Sequence, residues 1–137
     1  MMMKVNILLA LVLQTATTLS FSAEWDQIIK TDQYYIEVDI DTYATIDQLP
    51  TITTRTVYKT PQKMPNQSGV VYYKKLRTVQ CDCNRDKIKD IEVKFLDAYN
   101  HTIRREISSV FKAVNTDNHN REIASLVCQV HKMLGGN

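Results

Sequence analysis

The sequence predicts an α+β fold: an antiparallel β-sheet with a C-terminal amphipathic helix packed across one face. Three observations predict it. Apolar and polar residues alternate from Tyr34 to Ile40, the period of a half-buried strand. Segments rich in Thr, Val, Ile and Tyr then recur up to Tyr99 between short turn clusters, as an antiparallel sheet requires. From Ile123 to Leu134 the apolar period becomes helical, and such a helix buries its stripe against a sheet.

The chain opens with Lys4 ahead of an apolar run from Val5 to Leu13, broken only by Asn6, and a mainly small, polar stretch from Thr15 to Ser22. This is the pattern of a cleaved export signal. Ser20 and Ser22 place the cut before Ala23, with a cut after Ala23 ranked second because bulky Phe21 would then sit third from the end. The apolar run is far shorter than the ~20 residues of a membrane span, so no stable transmembrane segment is expected. No cysteine lies near the cut, so a lipid-anchored N-terminus is not expected either. The signal is residues 1–22, and 23–137 read as one domain of 115 residues (137 minus 22). Loss of Lys4 leaves 16 basic against 15 acidic side chains. That balance gives no general attraction to nucleic acid.

Glu24 to Lys30 fits a helical turn or a short strand, and Trp25 reads as a core anchor because a lone Trp buries a large area. Tyr34 to Ile40 is a strand, Asp41 to Gln48 a polar turn region, and Thr51 to Thr60 a second strand. Pro61, Pro65 and Gly69 mark a loop. Val70 to Cys83 is a long strand whose mixed faces call for a bulge or a change of face. A turn at Asn84–Lys87 leads to a strand from Ile88 to Tyr99, with Ile91, Val93, Phe95 and Tyr99 on one face, and Asn100-His101 turns the chain. Thr102 to Val114 fits helix and strand alike; the reading adopted is a strand to about Ile107, then a shorter strand or turn around Phe111. Asn115 to Asn118 supply helix-capping residues, Ile123, Leu126, Val127, Val130 and Leu134 form the stripe, and Gly135-Gly136 end the helix.

Three cysteines in an exported domain leave at least one unpaired within a monomer. Cys81 and Cys83 share a strand face, and Cys128 lies beside the helical stripe, so a strand-to-helix disulfide fits the layers. The separation of Cys128 from Cys83 is 45 residues (128 minus 83), and closing it restricts the unfolded chain by about 4 kcal/mol. The rival is a zinc site of Cys81, Cys83, Cys128 and His131, disfavoured because C-x-C is an uncommon zinc spacing and the compartment favours disulfides.

No catalytic machinery is legible. His101, His119 and His131 have no neighbouring Ser or Cys in a nucleophile motif, and no phosphate loop or dinucleotide fingerprint is present. The carboxylate pairs Asp39 with Asp41 and Glu92 with Asp97 read as solvated strand faces and ends. The basic residues Lys74, Lys75 and Arg77 form a local cluster, as do Arg85, Lys87 and Lys89, and Arg104 and Arg105; each reads first as a solvated face.

Trp25, the strand Tyr34-Tyr35-Ile36-Glu37, the Tyr72-containing strand ending Asp82-Cys83, Tyr99, and a terminal helix carrying Val127-Cys128 together resemble the surface-adhesin protein E family, from Trp25 to Cys128. The sequence departs from that family in lacking a lipid-attachment cysteine, in Phe111 where a tryptophan is expected, in having no glycine after Tyr99, and in the additional Cys81. The resemblance implies a sheet with a helix packed on it and a disulfide between Cys83 and Cys128. Cys81 is then the free thiol, available for a covalent dimer. It also implies an exported binding protein, in the periplasm, at the cell surface or secreted, that recognises host matrix proteins or plasminogen and can form a homodimer; no cofactor is expected. The segment from Thr60 to Gly69 and the residues Lys74, Lys75 and Arg77 are the candidate contact sites. The rival readings are an envelope structural protein without a host ligand and a small secreted hydrolase, which would need a concave site gathering His101 or His119 with acids.

Overall fold

The computed structural model describes residues 24–135; the expected signal (1–22) and Gly136 lie outside them. Among the described residues seven strands form one antiparallel sheet: β1 (Asp26–Lys30), β2 (Tyr34–Ile46), β3 (Leu49–Lys63), β4 (Val71–Asp82), β5 (Lys87–Leu96), β6 (Thr102–Ile107) and β7 (Lys112–Ala113). The first six lie side by side in chain order, and β7 pairs with the start of β5. A 3₁₀ turn (Val114–Thr116) leads into the helix α1 (Asn118–Met133), which packs on one face of the sheet. The predicted architecture is the observed one. No helix among the described residues is long and apolar enough to cross a membrane.

The region around Asp41 is strand rather than turn. β2 runs through to Ile46, with an irregularity between Asp39 and Ala44. Local side chains satisfy the backbone there: Asp41 N–H donates to Asp39 Oδ1 at 3.1 Å, and Thr53 N–H to Thr42 Oγ1 at 2.8 Å. Polar residues that read as a turn are thus the caps of a bulge. The turn itself is Asp47-Gln48, both at positive φ (52° and 67°), the two-residue hairpin geometry whose twist matches the flanking strands.

β3 continues through Pro61 to Lys63. The pairing with β4 skips from Val57 to Gln62, and the pairing with β2 ends at Tyr58, so Pro61 sits where no ladder bond needs its missing N–H. β4 changes face as expected. Tyr72 packs with Tyr58 and Phe95 on the helix side, and further along the strand the odd-numbered Arg77, Val79 and Cys81 take over that same side beneath the helix. In β5 the bulge falls at Ile91, since Thr78 faces Glu92 while Val79 faces Asp90. Ile88 and Asp90 before it, and Val93 and Phe95 after it, therefore share the helix side. The expected face with Ile91 and Tyr99 is corrected: the strand ends at Leu96, Asp97 Oδ1 accepts from Tyr99 and His101 N–H, and Tyr99 is 80% exposed. Thr102–Ile107 is a strand, as adopted, but the short strand begins after Phe111, at Lys112.

The helix starts on Asp117, whose carboxylate accepts from His119 N–H at 2.8 Å. Ile123, Val127 and Val130 are buried and Leu126 is half-buried. Leu134, read as part of the stripe, is 62% exposed because the helix ends one residue earlier, ahead of Gly135 at φ +87°.

The core has two parts on the same side of the sheet. Under the helix lie Val38, Ile52, Val79, Cys81, Ile88, Val114, Ile123, Ala124 and Val127. Beyond its N-terminus Met64, Tyr72, Val93 and Phe95 form a second cluster, bordered by Tyr58 and Val70. Its rings meet edge-on, Tyr58 to Tyr72 at 5.7 Å and Tyr72 to Phe95 at 4.9 Å. Trp25 is in neither. It lies half-buried over the Arg55 guanidinium at 4.2 Å, on the face away from the helix, which corrects its reading as a core anchor.

Candidate functional site

Cys83, the first residue of the turn after β4, is bonded to Cys128 of α1, with Cα atoms 5.9 Å apart. Cys81 is a free thiol, 1% exposed, in the core beneath the helix. Burial pushes it up to about 12, only partly offset by Arg77. All three cysteines line a cavity of about 270 Å³ with Arg121 and Ser125. Cys81 is therefore not at the surface, where a covalent dimer would need it. The zinc reading fails on geometry: two of its thiols are joined to each other, and His131 Nδ1 is 2.7 Å from the Tyr43 hydroxyl. Among the described residues no group of three or more His, Cys, Asp or Glu is placed to hold a metal.

The cluster Lys74, Lys75 and Arg77 is dispersed by the sheet. Arg77 points under the helix and is 9% exposed. Its guanidinium donates to Asp90 Oδ1 and Asn120 Oδ1, each at 2.9 Å. Lys75 shares that side, with its ammonium 5.6 Å from the Phe95 ring. Burial and the Arg77 charge lower its pKa. Lys74 alone lies on the helix-free face, donating to Asn100 Oδ1 at 2.6 Å. Arg77 is thus a buried tie between sheet and helix rather than a contact residue.

The candidate loop from Thr60 to Gly69 is reassigned in the same way. Thr60 to Lys63 belong to β3, and Met64 is buried in the second cluster. Pro65 to Gly69 are exposed but held: Arg104 of β6 donates from Nη1 to Pro65 O at 2.6 Å, while its guanidinium lies 5.6 Å from the Phe95 ring. The segment is a lid on the second cluster.

The histidines are structural neighbours of tyrosines and acids. His119 hydrogen-bonds the Tyr34 hydroxyl and lies 3.5 Å from Asp117 Oδ1. His101 contacts Asp97 Oδ2 at 3.2 Å in an exposed turn. Neither lines the clefts around the cysteines, the lid or Trp25. Tyr34 and Tyr43, both on β2, thereby tie down the two ends of α1.

The helix-free face carries an arrangement that the linear sequence does not display. Pairing sets Glu37 beside Arg55, Arg55 beside Leu76, Leu76 beside Lys94 and Lys94 beside Arg105, one row across five strands. The next row sets Val57 beside Lys74, Lys74 beside Leu96 and Leu96 beside Thr102. Between them runs a groove of about 330 Å³, lined by Trp25, Arg55, Leu76, Lys94, Leu96, Asn100 and Thr102.

Glu37 Oε1 takes two bonds from Arg55, at 2.9 and 2.7 Å. Glu92 is shared by Arg105 and Lys94, the latter at 3.6 Å. The hydrogen bond from Arg105 holds its carboxyl below the usual range. Among the described residues no carboxylate pairs with Lys74. The groove is therefore cationic along its rim and apolar on its floor. Of these residues only Lys74 was singled out from sequence as a candidate contact. The signal for the others is the alternation of a cation with a leucine in Lys74-Lys75-Leu76 and Lys94-Phe95-Leu96. It becomes readable only once the register of β3, β4 and β5 is known.

Compared with known proteins, the chain matches no protein-family model, no curated protein and no solved structure.

Proposed function

We propose that the chain is an exported, non-enzymatic protein-binding domain resembling the surface-adhesin protein E family, with host matrix proteins or plasminogen as its partner class. The observation that carries the reading is the bridge from Cys83 to Cys128. It is the pairing the resemblance implies, in a sheet-and-helix fold of the implied class, and it suits an oxidising compartment outside the cytoplasm. The open helix-free face adds support, because a domain with its helix on one side leaves the other available to a partner.

The experiment is fractionation of the native cells with N-terminal sequencing, followed by binding of the mature protein to immobilised matrix proteins and plasminogen in physiological salt. The expected outcome is a chain beginning at Ala23, found at the surface or in the medium, with saturable binding. Protein retained wholly inside the outer membrane and binding none of these partners would instead identify an envelope structural component.

A further inference from the structure

We propose that the groove between Trp25 and Lys94 docks an acidic segment of a partner protein, in which an apolar side chain is flanked by carboxylates. The inference rests on the protein-binding reading above and names the chemistry of the bound segment. The groove divides by polarity. Leu76 and Leu96 supply an apolar floor, and Trp25, stacked on Arg55, adds apolar surface to the lining. Arg55 and Lys94 line its flanks, and Lys74 reaches Asn100 at the rim.

Two carboxylates, Glu37 and Glu92, serve Arg55, Lys94 and Arg105. Lys74 adds a cation without an acidic partner among the described residues, so the local charge is positive and selects an anion. An exposed sheet face could carry such charges merely as solvated ends. Two buried or half-buried leucines set between them make a concave, partly apolar site instead.

The spacing fits an extended chain. Arg55 on β3 and Lys94 on β5 are two strand spacings apart, roughly 10 Å. In an extended peptide the side chains two residues either side of an apolar one share its face, with Cα atoms roughly 13 Å apart, so an apolar side chain over Leu76 has a flexible carboxylate within reach of each cation. A sulfated polysaccharide would satisfy the cations but has no group for the leucine floor, so the floor favours peptide.

Trp25 is the only tryptophan of the sequence and lines the groove, so its fluorescence reports occupancy. The probe is the blocked peptide Glu-Glu-Leu-Glu-Glu, titrated into the mature protein up to about 1 mM. A saturable change in Trp25 emission is expected, weakened at least about tenfold in the Lys74→Glu, Lys94→Glu double variant, since reversed rim charges repel the ligand. Replacing the peptide leucine by serine weakens binding about fivefold or more, since the floor then loses its apolar partner. Lys94→Met, which keeps the packing, gives an intermediate loss and guards against misfolding of the double variant.

Absence of a saturable change overturns the proposal. So does a sulfated oligosaccharide that binds more tightly than the peptide, with the serine peptide unimpaired. The two readings fail separately. Matrix proteins binding wild type and double variant alike would remove the groove but keep the binding function. Peptide binding without any matrix-protein or plasminogen binding would keep the groove and remove the proposed partner class.

Discussion

Arg77 of β4 donates to Asn120 of α1 at 2.9 Å, inside the boundary between sheet and helix. The same guanidinium reaches Asp90 at 2.9 Å, so one side chain holds two strands and the helix. Arg77→Ala leaves the buried Asn120 amide and the half-buried Asp90 carboxylate without their guanidinium donor, Asp90 keeping only Lys112 at 3.9 Å among the described residues. A loss of about 3 kcal/mol is expected, read from urea midpoints at pH 7. Lys74→Glu on the opposite face should change stability by less than about 0.5 kcal/mol. Equal effects from the two variants would refute the assignment of Arg77 to the interior.

The two cysteine positions of β4 and its turn should behave differently. Cys83→Ser opens a bridge spanning 45 residues and should cost about 4 kcal/mol in the loop-entropy account. Cys81 should resist iodoacetamide in the folded protein and react only in denaturant, giving one labelled thiol per chain by mass spectrometry.

Alkaline pH tests the same thiol. Burial raises Cys81 from 9.0 to about 12, so the unfolded chain loses this proton first. Stability contributed here is present below pH 9 and falls as pH rises toward 12, by about 1.4 kcal/mol per unit. Tyr58, also raised by burial, adds to the fall above pH 10. Lys75 acts in the opposite sense: its lowered pKa makes the folded state shed a proton first, so stability gains as pH approaches 10.5. Urea midpoints at pH 8 and pH 10 should therefore separate less in Cys81→Val than in wild type.

The lid over the second cluster depends on Arg104. Arg104→Ala removes its bond to Pro65 O and should speed hydrogen exchange at Met64, whose N–H bonds Val70 O at 2.9 Å. Met64→Ala should cost roughly 2–5 kcal/mol by leaving a cavity. Unchanged exchange at Met64 in Arg104→Ala would show that the lid is held by packing alone.

The tyrosine ties to α1 should be unequal. His131 is buried, so Tyr43→Phe leaves its Nδ1 without a partner, a loss of about 1–3 kcal/mol. His119 is half-buried and water can replace Tyr34, so Tyr34→Phe should cost less. Thermal melts of the two variants give the order.

The sequence by itself determined the class of fold and the elements with strong periodicity. The strand at Tyr34–Ile40 and the helix stripe around Ile123, Val127 and Val130 are local patterns, set by which side chains prefer water. The three cysteines, with the family resemblance, were enough to point to the pair that is bonded. What only the tertiary structure decided depends on register. The bulge at Ile91 sends Val93 to the same face as Ile88, and no local propensity marks where a bulge falls. Arg77 reads as a surface cation until Asp90 and Asn120, 13 and 43 residues away, are brought to it. The candidate groove is likewise invisible along the chain. Arg55, Leu76 and Lys94 become neighbours through backbone hydrogen bonds between strands, and those bonds carry no signature in the side chains they align.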